Sequence, residues 1–259
     1  MTAAEKWRDD LATWAIPSEI LSAAPEDPWI HPVEMFTVTG EVPDSPSHAR
    51  ARDALPEGGS VLDVGCGGGR ASLALLPRAG LVTGVDTSER MLAQYTVAAD
   101  ARGVAHAEIL GAWPGSADGV PAADVVVCHH VVYNVADLPP FLLALGDRAV
   151  HRVVLELPLT HPLTHMNGLW EHFWGLKRPG SPTADDCLAV AREAGIDAHL
   201  DVWDDEPFET RSPLSFEQRV HHLRIRLCLP AEREPEVAAF VHAAGVPLPR
   251  RTGTLWWDV

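Results

Sequence analysis

Lysine is almost missing from this sequence. Only Lys6 and Lys177 are present, and the 20 basic residues, otherwise all arginine, face 36 acidic ones. A formal net charge of −16 offers no basic face for a phosphate backbone, which disfavours a nucleic-acid partner and an anionic membrane surface alike. Cysteine is scarce as well. Cys66, Cys128, Cys187 and Cys228 lie far apart and form no C-x-x-C pair, which speaks against a disulfide framework and leaves free thiols in a reducing compartment. No apolar run is long enough to span a bilayer, and Met1 to Lys6 carry no apolar signal core, so a cytoplasmic chain is the expectation. Internal repeats and low-complexity tracts are absent too. What remains, 259 residues at 46% hydrophobic content, suits a single domain with additions.

The chain is organised around Val61-Leu62-Asp63-Val64-Gly65-Cys66-Gly67-Gly68-Gly69-Arg70, an apolar run that breaks into a glycine-rich turn. A helical stretch, Ala71 to Leu76, follows it up to Pro77. Strand, tight turn and helix bring backbone N–H groups and a helix N-terminus to a nucleotide-like ligand. A dinucleotide fingerprint G-x-G-x-x-G needs glycine where Arg70 stands, so the spacing is G-x-G-x-G with an acid two residues before its first glycine. From there the pattern alternates. Strands are expected over 60–64, 81–86, 107–110, 124–128 and 152–157, with helices over 88–102 (Ser88 as N-cap) and 138–148 (Asp137 as cap). This βαβ series implies a doubly wound parallel sheet.

At the N-terminus, Thr2 and Glu5 fit a capping box, and Trp7, Leu11 and Trp14 share one helical face that ends before Pro17. The proline-rich segment that follows, with Trp29, His31, Met35 and Phe36, reads as an extension or lid, and a short helix spans 47–55. After Pro158 the rhythm changes. Residues 159–182 are rich in His and Trp without a clear period, and a helix over 184–194, a strand over 197–203, helices over 216–229 and 231–244 and a strand over 253–259 close the chain. His221 and His222, on a helix with Arg219, Arg224 and Arg226, read as surface or interface residues.

The glycine motif resembles motif I of class I S-adenosylmethionine-dependent methyltransferases. Gly84-Val85-Asp86-Thr87-Ser88 with Met91-Leu92 resembles that family's second strand end, and Asp124 to Asn134 resembles its buried fourth strand and the loop behind it. The resemblance covers residues 47–157 motif by motif, and loosely the remainder, because the family's sheet closes with an antiparallel hairpin. It implies an α/β fold: a doubly wound, seven-stranded mixed sheet, mostly parallel with the last strand antiparallel, in a three-layer sandwich with a helical N-terminal extension and insertions. The chain then divides into an extension or lid (1–46), a cofactor-binding core (47–158) and a substrate-side segment with the closing strands (159–259).

On this resemblance the cofactor is S-adenosyl-L-methionine. Asp63, Gly65, Cys66, Gly67 and Gly69 are expected at its methionine half, and Asp86 with Thr87 at its ribose, where one carboxylate can accept from two hydroxyls. Ala112 and Trp113 fall in the loop that flanks adenine in the family. An acid is common there and missing here, so a stacking indole is expected instead. His129 is expected beside the sulfonium. His130, Tyr133 and Glu156 are the catalytic candidates, since open α/β sheets bind ligands at the carboxyl ends of their strands and imidazole suits proton transfer. His161, His165, Trp170 and His172 are expected to wall a substrate pocket, and Pro162 together with the absence of nearby cysteine argues against a metal there. The resulting expectation is methyl transfer to an oxygen or nitrogen of a small molecule by an enzyme that could be a homodimer. A methyltransferase-like binding protein without turnover, and an NAD(P)-dependent oxidoreductase, stay open as alternatives.

Overall fold

A computed structural model describes residues 1–29, 40, 42, 44–206, 214–244 and 250–259. His31, Met35 and Phe36 lie outside the described residues. Within them seven strands form one sheet: β1 (Gly59–Val64), β2 (Ala79–Asp86), β3 (Ala105–Leu110), β4 (Ala123–His129), β5 (Ala149–Pro158), β6 (His199–Asp205) and β7 (Arg250–Asp258). Their order is β3-β2-β1-β4-β5-β7-β6, with β7 antiparallel to both neighbours and the other pairings parallel. This is the mixed sheet expected from the sequence. The order reverses between β1 and β4, and this crevice, outside the carboxyl ends of the strands, is where such sheets bind ligands.

Side-chain alternation explains why β4 reads as an unbroken apolar run. Val125 and Val127 enter one core and Val126 and Cys128 the other, so both faces of the strand are buried. On the first face lie α3 (Pro46–Ala54), the single turn α4 (Arg70–Leu73) and α5 (Glu89–Asp100), through Ala51, Leu55, Leu73, Leu92 and Tyr95. On the second lie α1 (Ala3–Ala12), α6 (Leu138–Arg148) and α8 (Ala184–Glu193), through Trp7, Phe141, Leu145 and Val190. Trp7 is fully buried, with its indole N–H on the Val135 carbonyl at 2.8 Å, so the N-terminal helix is part of the second layer. Its capping box forms as expected.

Two local expectations change. The helix after the glycine turn stops at Leu73 instead of Leu76, and the chain continues as a turn in which the Leu75 N–H bonds the Ser72 carbonyl. Asp137 occupies the N-cap position of α6 but makes no capping bond. The second and third helical residues are Pro139 and Pro140, so the N–H groups a cap would satisfy do not exist.

A third apolar cluster lies apart from the sheet. It joins Ile16, α7 (Asn167–Trp174) through Leu169, Trp170 and Phe173, α9 (Phe216–Arg226) through Val220, and α10 (Glu234–Ala244) through Val237. A 3₁₀ turn, Pro162–Met166, leads into α7, so the stretch without sequence period is helical for about half its length. The short α2 (Ser18–Ser22) runs beside this cluster through Ile20.

Candidate active site

The glycine turn is built on buried hydrogen bonds. Asp63, at the end of β1, is 1% exposed, and its Oδ2 accepts from the Ser72 hydroxyl at 2.7 Å and the Ser72 N–H at 3.2 Å. The Ser72 hydroxyl also meets Tyr95 Oη at 3.1 Å, which holds the first turn of α4 against α5. Burial pushes the Asp63 carboxyl up to about 7 despite the Ser72 bonds, and its Oδ1 is buried without a hydrogen-bond partner. Asp86 closes the turn from the next strand. Its Oδ2 accepts from Gly67 N–H at 3.0 Å and its Oδ1 from Ser88 N–H at 2.9 Å, and each oxygen retains a lone pair.

The glycines divide their work. Gly65 (φ +71°) has no room for a Cβ, which would run into Val131 in the loop after β4. Gly69 (φ +89°) passes close to Leu73 and Tyr95, so it too is required by protein packing. Of the three, Gly67 presents its N–H to Asp86. The Cys66 side chain, expected at the cofactor, is 5% exposed and packs into the core under Gly84, where burial pushes its thiol up; only its backbone belongs to the turn. Thr87 and Ala112 are exposed, and Trp113 is half-buried against the second core face with its indole N–H on the Phe141 carbonyl at 3.2 Å.

The carboxyl ends of β4 and β5 carry a denser constellation. His129 and Glu156 are register partners on these parallel strands. Glu156 is 6% exposed; its Oε2 accepts from the Ser45 hydroxyl at 2.7 Å and its Oε1 faces His130 Nε2 at 3.1 Å. Burial opposes ionisation of this carboxyl, but the His129, His130 and Ser45 side chains around it hold it well below the usual carboxylate range. His130 adopts φ +62°, an uncommon conformation for a residue with a side chain, and its N–H bonds the Glu156 carbonyl at 2.7 Å. Burial drives His129 down to about 3, so its ring is neutral, and its Nε2 is buried without a partner.

Sequence reasoning missed two members of this group. Ser45 is the N-cap of α3, and His48, in the first turn, is 3% exposed, with its ring 5.2 Å from that of His129. His48 Nδ1 accepts from Ser45 N–H at 3.1 Å. The neutral ring therefore carries its proton on Nε2, and that buried donor has no partner. Burial keeps the ring neutral. The available signal was Ser45-Pro46, a serine cap followed by proline at the first helical position. Three orphaned buried atoms, Asp63 Oδ1, His48 Nε2 and His129 Nε2, thus stand at the carboxyl ends of β1 and β4 and on α3 beside them. Such atoms are costly to leave unmet: Asp63 Oδ1 can accept from a cation such as ammonium, and His48 Nε2–H can donate to an anion such as carboxylate.

The remaining sequence candidates are only partly brought together. The Tyr133 hydroxyl is buried and donates to the Pro158 carbonyl at 2.8 Å, and its ring stacks on Trp7 and meets His161 edge-on. His161 is buried, stacked on Trp14 at 3.9 Å, and Trp170 is buried beside them. His165 and His172 are exposed: His165 bonds the Pro162 carbonyl, and His172 packs on Phe173 and Phe240. They do not extend the wall that His161 and Trp170 begin. Among the described residues no group of three His, Cys, Asp or Glu is placed to hold a metal ion, and no helix is long and apolar enough to cross a membrane. On α9, His221 is exposed and pairs with Glu234, while Arg224 and Arg226 on the same helix are buried.

The sheet order, the turn after β1 and the acid closing it from β2 are the arrangement of a class I methyltransferase. Residues 62–152 match the family model described as a methyltransferase domain. Over 104 residues the chain is 36% identical to the ubiquinone biosynthesis O-methyltransferase of Pseudomonas paraeruginosa, covering 38% of this chain and 40% of that enzyme. It therefore spans about two fifths of the length of the curated relatives it matches. Its fold is similar to that of an S-adenosylmethionine-dependent methyltransferase from Thiobacillus denitrificans, solved with S-adenosyl-L-homocysteine (TM-score 0.54, 19% identity, 94% of this chain and 98% of that one). A cyclopropane-fatty-acyl-phospholipid synthase-like protein from Lactobacillus casei is similar to the same degree (TM-score 0.55, 14% identity, 88% and 97%).

Proposed function

We propose that this chain transfers the methyl group of S-adenosylmethionine to an O–H or N–H of a small-molecule acceptor, in the cytoplasm. The observation that carries the reading is Asp86. It stands at the end of β2, tied to Gly67 N–H in the adjacent turn, with lone pairs left for two vicinal hydroxyls. Asp63 Oδ1 would take the ammonium of the methionine half and His48 Nε2–H its carboxylate, meeting two buried groups that otherwise have no partner. Trp113 would supply an apolar face for adenine.

The bound cofactor supplies a methyl group already activated on sulfonium, so the protein's task is alignment and desolvation. His130 and Glu156 supply what an acceptor hydroxyl would need. With the Nε2–H of His130 directed at the ionised Glu156, the Nδ1 lone pair is the base, on a side chain that is 40% exposed. Glu156 stabilises the imidazolium as the proton arrives at Nδ1. Tyr133 acts as wall rather than acid, because its hydroxyl is committed to Pro158.

Calorimetric titration of the full chain with S-adenosylhomocysteine and with NAD tests this. Binding of the former, lost in Asp86→Ala, is expected. Binding of NAD alone would replace methyl transfer by a redox reading.

A further inference from the structure

The base proposed above occupies a strained position, and part of what holds it comes from the N-terminal helix. A residue with a side chain persists at φ +62°, as His130 does, where its surroundings over-determine it. From β5, the Glu156 carbonyl accepts from the His130 N–H and the Pro158 carbonyl from the Tyr133 hydroxyl. Between β4 and α6 the chain makes a 3₁₀ turn, Val132–Asn134, in which the Asn134 N–H bonds the Val131 carbonyl at 2.8 Å and the Val135 N–H bonds the Val132 carbonyl at 3.0 Å. Val131 lies against Gly65 of the glycine turn. A further hold is Trp7. Its indole N–H donates to the Val135 carbonyl at 2.8 Å, directly after the 3₁₀ turn, and its ring stacks on Tyr133 with centroids 5.5 Å and planes 23° apart.

Trp7 is placed by its own helix. α1 is seated on α8 by the Ala3 N–H on the Glu193 carboxylate at 2.5 Å and by Lys6 Nζ, 2.8 Å from Asp186. A fully buried indole needs an acceptor for its N–H, and packing alone would be served by any carbonyl. This one closes the segment that His130 opens, and the compact turn between them transmits the hold. We infer that Trp7 is a positioning residue: on the methyl-transfer reading above, it fixes residues 130–135 so that the His130 ring stays on Glu156 and leaves its Nδ1 for the acceptor. It acts through the loop. The N-terminal helix, outside the matched residues 62–152, is thereby part of the apparatus for transfer.

The test is hydrogen exchange and ¹⁵N NMR on the full, unliganded chain. Trp7→Phe keeps an aromatic ring and loses the indole N–H. In it the His130 amide is expected to exchange at least tenfold faster than in wild type, and by a larger factor than the amides of β1. The ring nitrogen signals of His130 are expected to move from their wild-type positions toward those of Glu156→Gln. Trp113→Phe loses an indole bond to the Phe141 carbonyl in the same core and is expected to leave both readouts at wild type. A measurement on wild type covers a Trp7→Phe chain that does not fold: the amides of α1 and of residues 131–135 are expected to open together, with one dependence on denaturant. Wild-type readouts in Trp7→Phe, equal changes in Trp113→Phe, or a loop that opens independently of α1 overturns the assignment. Calorimetric titration with S-adenosylhomocysteine separates the two readings. If it binds and Trp7→Phe keeps the wild-type readouts, the Trp7 assignment falls and methyl transfer stands. If it does not bind and the readouts change as expected, methyl transfer falls and Trp7 stands as the residue that holds the His130 loop.

Discussion

The Ser45 hydroxyl donates to Glu156 Oε2 at 2.7 Å, across 111 residues of sequence, so the residue that caps α3 also fixes the carboxylate at the end of β5. The other Glu156 oxygen is thereby left to His130 at 3.1 Å. Glu156→Gln is expected to lower kcat by about 10²-fold or more, with the affinity for S-adenosylhomocysteine nearly unchanged, because it removes the charge that stabilises a protonated His130. Ser45→Ala should cost about 1 kcal/mol of stability through the lost cap and reduce kcat less. Steady-state kinetics with calorimetry reads both; a Glu156→Gln enzyme with full kcat would remove the dyad from the mechanism.

Asp63→Asn separates charge from packing. An amide oxygen can still accept from Ser72, so the turn is retained, but no carboxylate remains for an ammonium group. Because burial lifts the Asp63 carboxyl to about 7, the folded state binds a proton that the unfolded state has released above its ordinary value near 3.8. Its contribution to stability is present in full below that value and is lost as pH rises toward 7. The substitution should flatten this fall in denaturation curves and weaken cofactor binding at least tenfold. Unchanged affinity would take Asp63 away from the cofactor.

Asp86→Ala removes a ribose acceptor and also two backbone bonds, to Gly67 and Ser88. A stability loss of about 1–3 kcal/mol is therefore expected alongside the loss of affinity. Asp86→Asn keeps one acceptor oxygen and should fall between wild type and Asp86→Ala in both thermal denaturation and cofactor titration.

Tyr133→Phe should leave kcat within about twofold and cost about 1 kcal/mol, the worth of the buried bond to Pro158. A large fall in kcat without a stability change would return the hydroxyl to the chemistry.

His161 is held down to about 4 by burial and by the nearby Arg178 and Arg226 charges. The unfolded chain therefore binds its proton first, and this contribution to stability, complete above about 6.5, is lost as pH falls toward 4. His129, at about 3, acts in the same direction. His161→Phe retains the stack on Trp14 and should reduce the slope of stability against pH in that window, as read by urea denaturation at a series of pH values.

The local elements were legible because their causes are local. Short apolar runs, buried on both faces, wrote the central parallel strands, the capping box of α1 needed only Thr2 and Glu5, and the turn of residues 65–69 announced itself by composition. Asp63 and Asp86 were also readable, since each lies at the end of its own apolar run. The shortfalls came where distant groups decide. Cys66 looked like a turn residue, yet its side chain is part of the core under Gly84. The histidines of the 159–182 insertion looked equivalent, yet only His161 faces inward. Trp7 was legible as part of a helical face, but the carbonyl it bonds, 128 residues further on, was not.

By itself, the sequence determined the sheet, the glycine turn and the two acids beside it, because strand periodicity and turn chemistry act over a few residues. Only the tertiary structure decided that Ser45, His48, His129, His130 and Glu156 form one group, and that Trp7 reaches the loop that follows His130. Those convergences depend on strand order and on which helix covers which strand end, and both are set by packing across the whole chain.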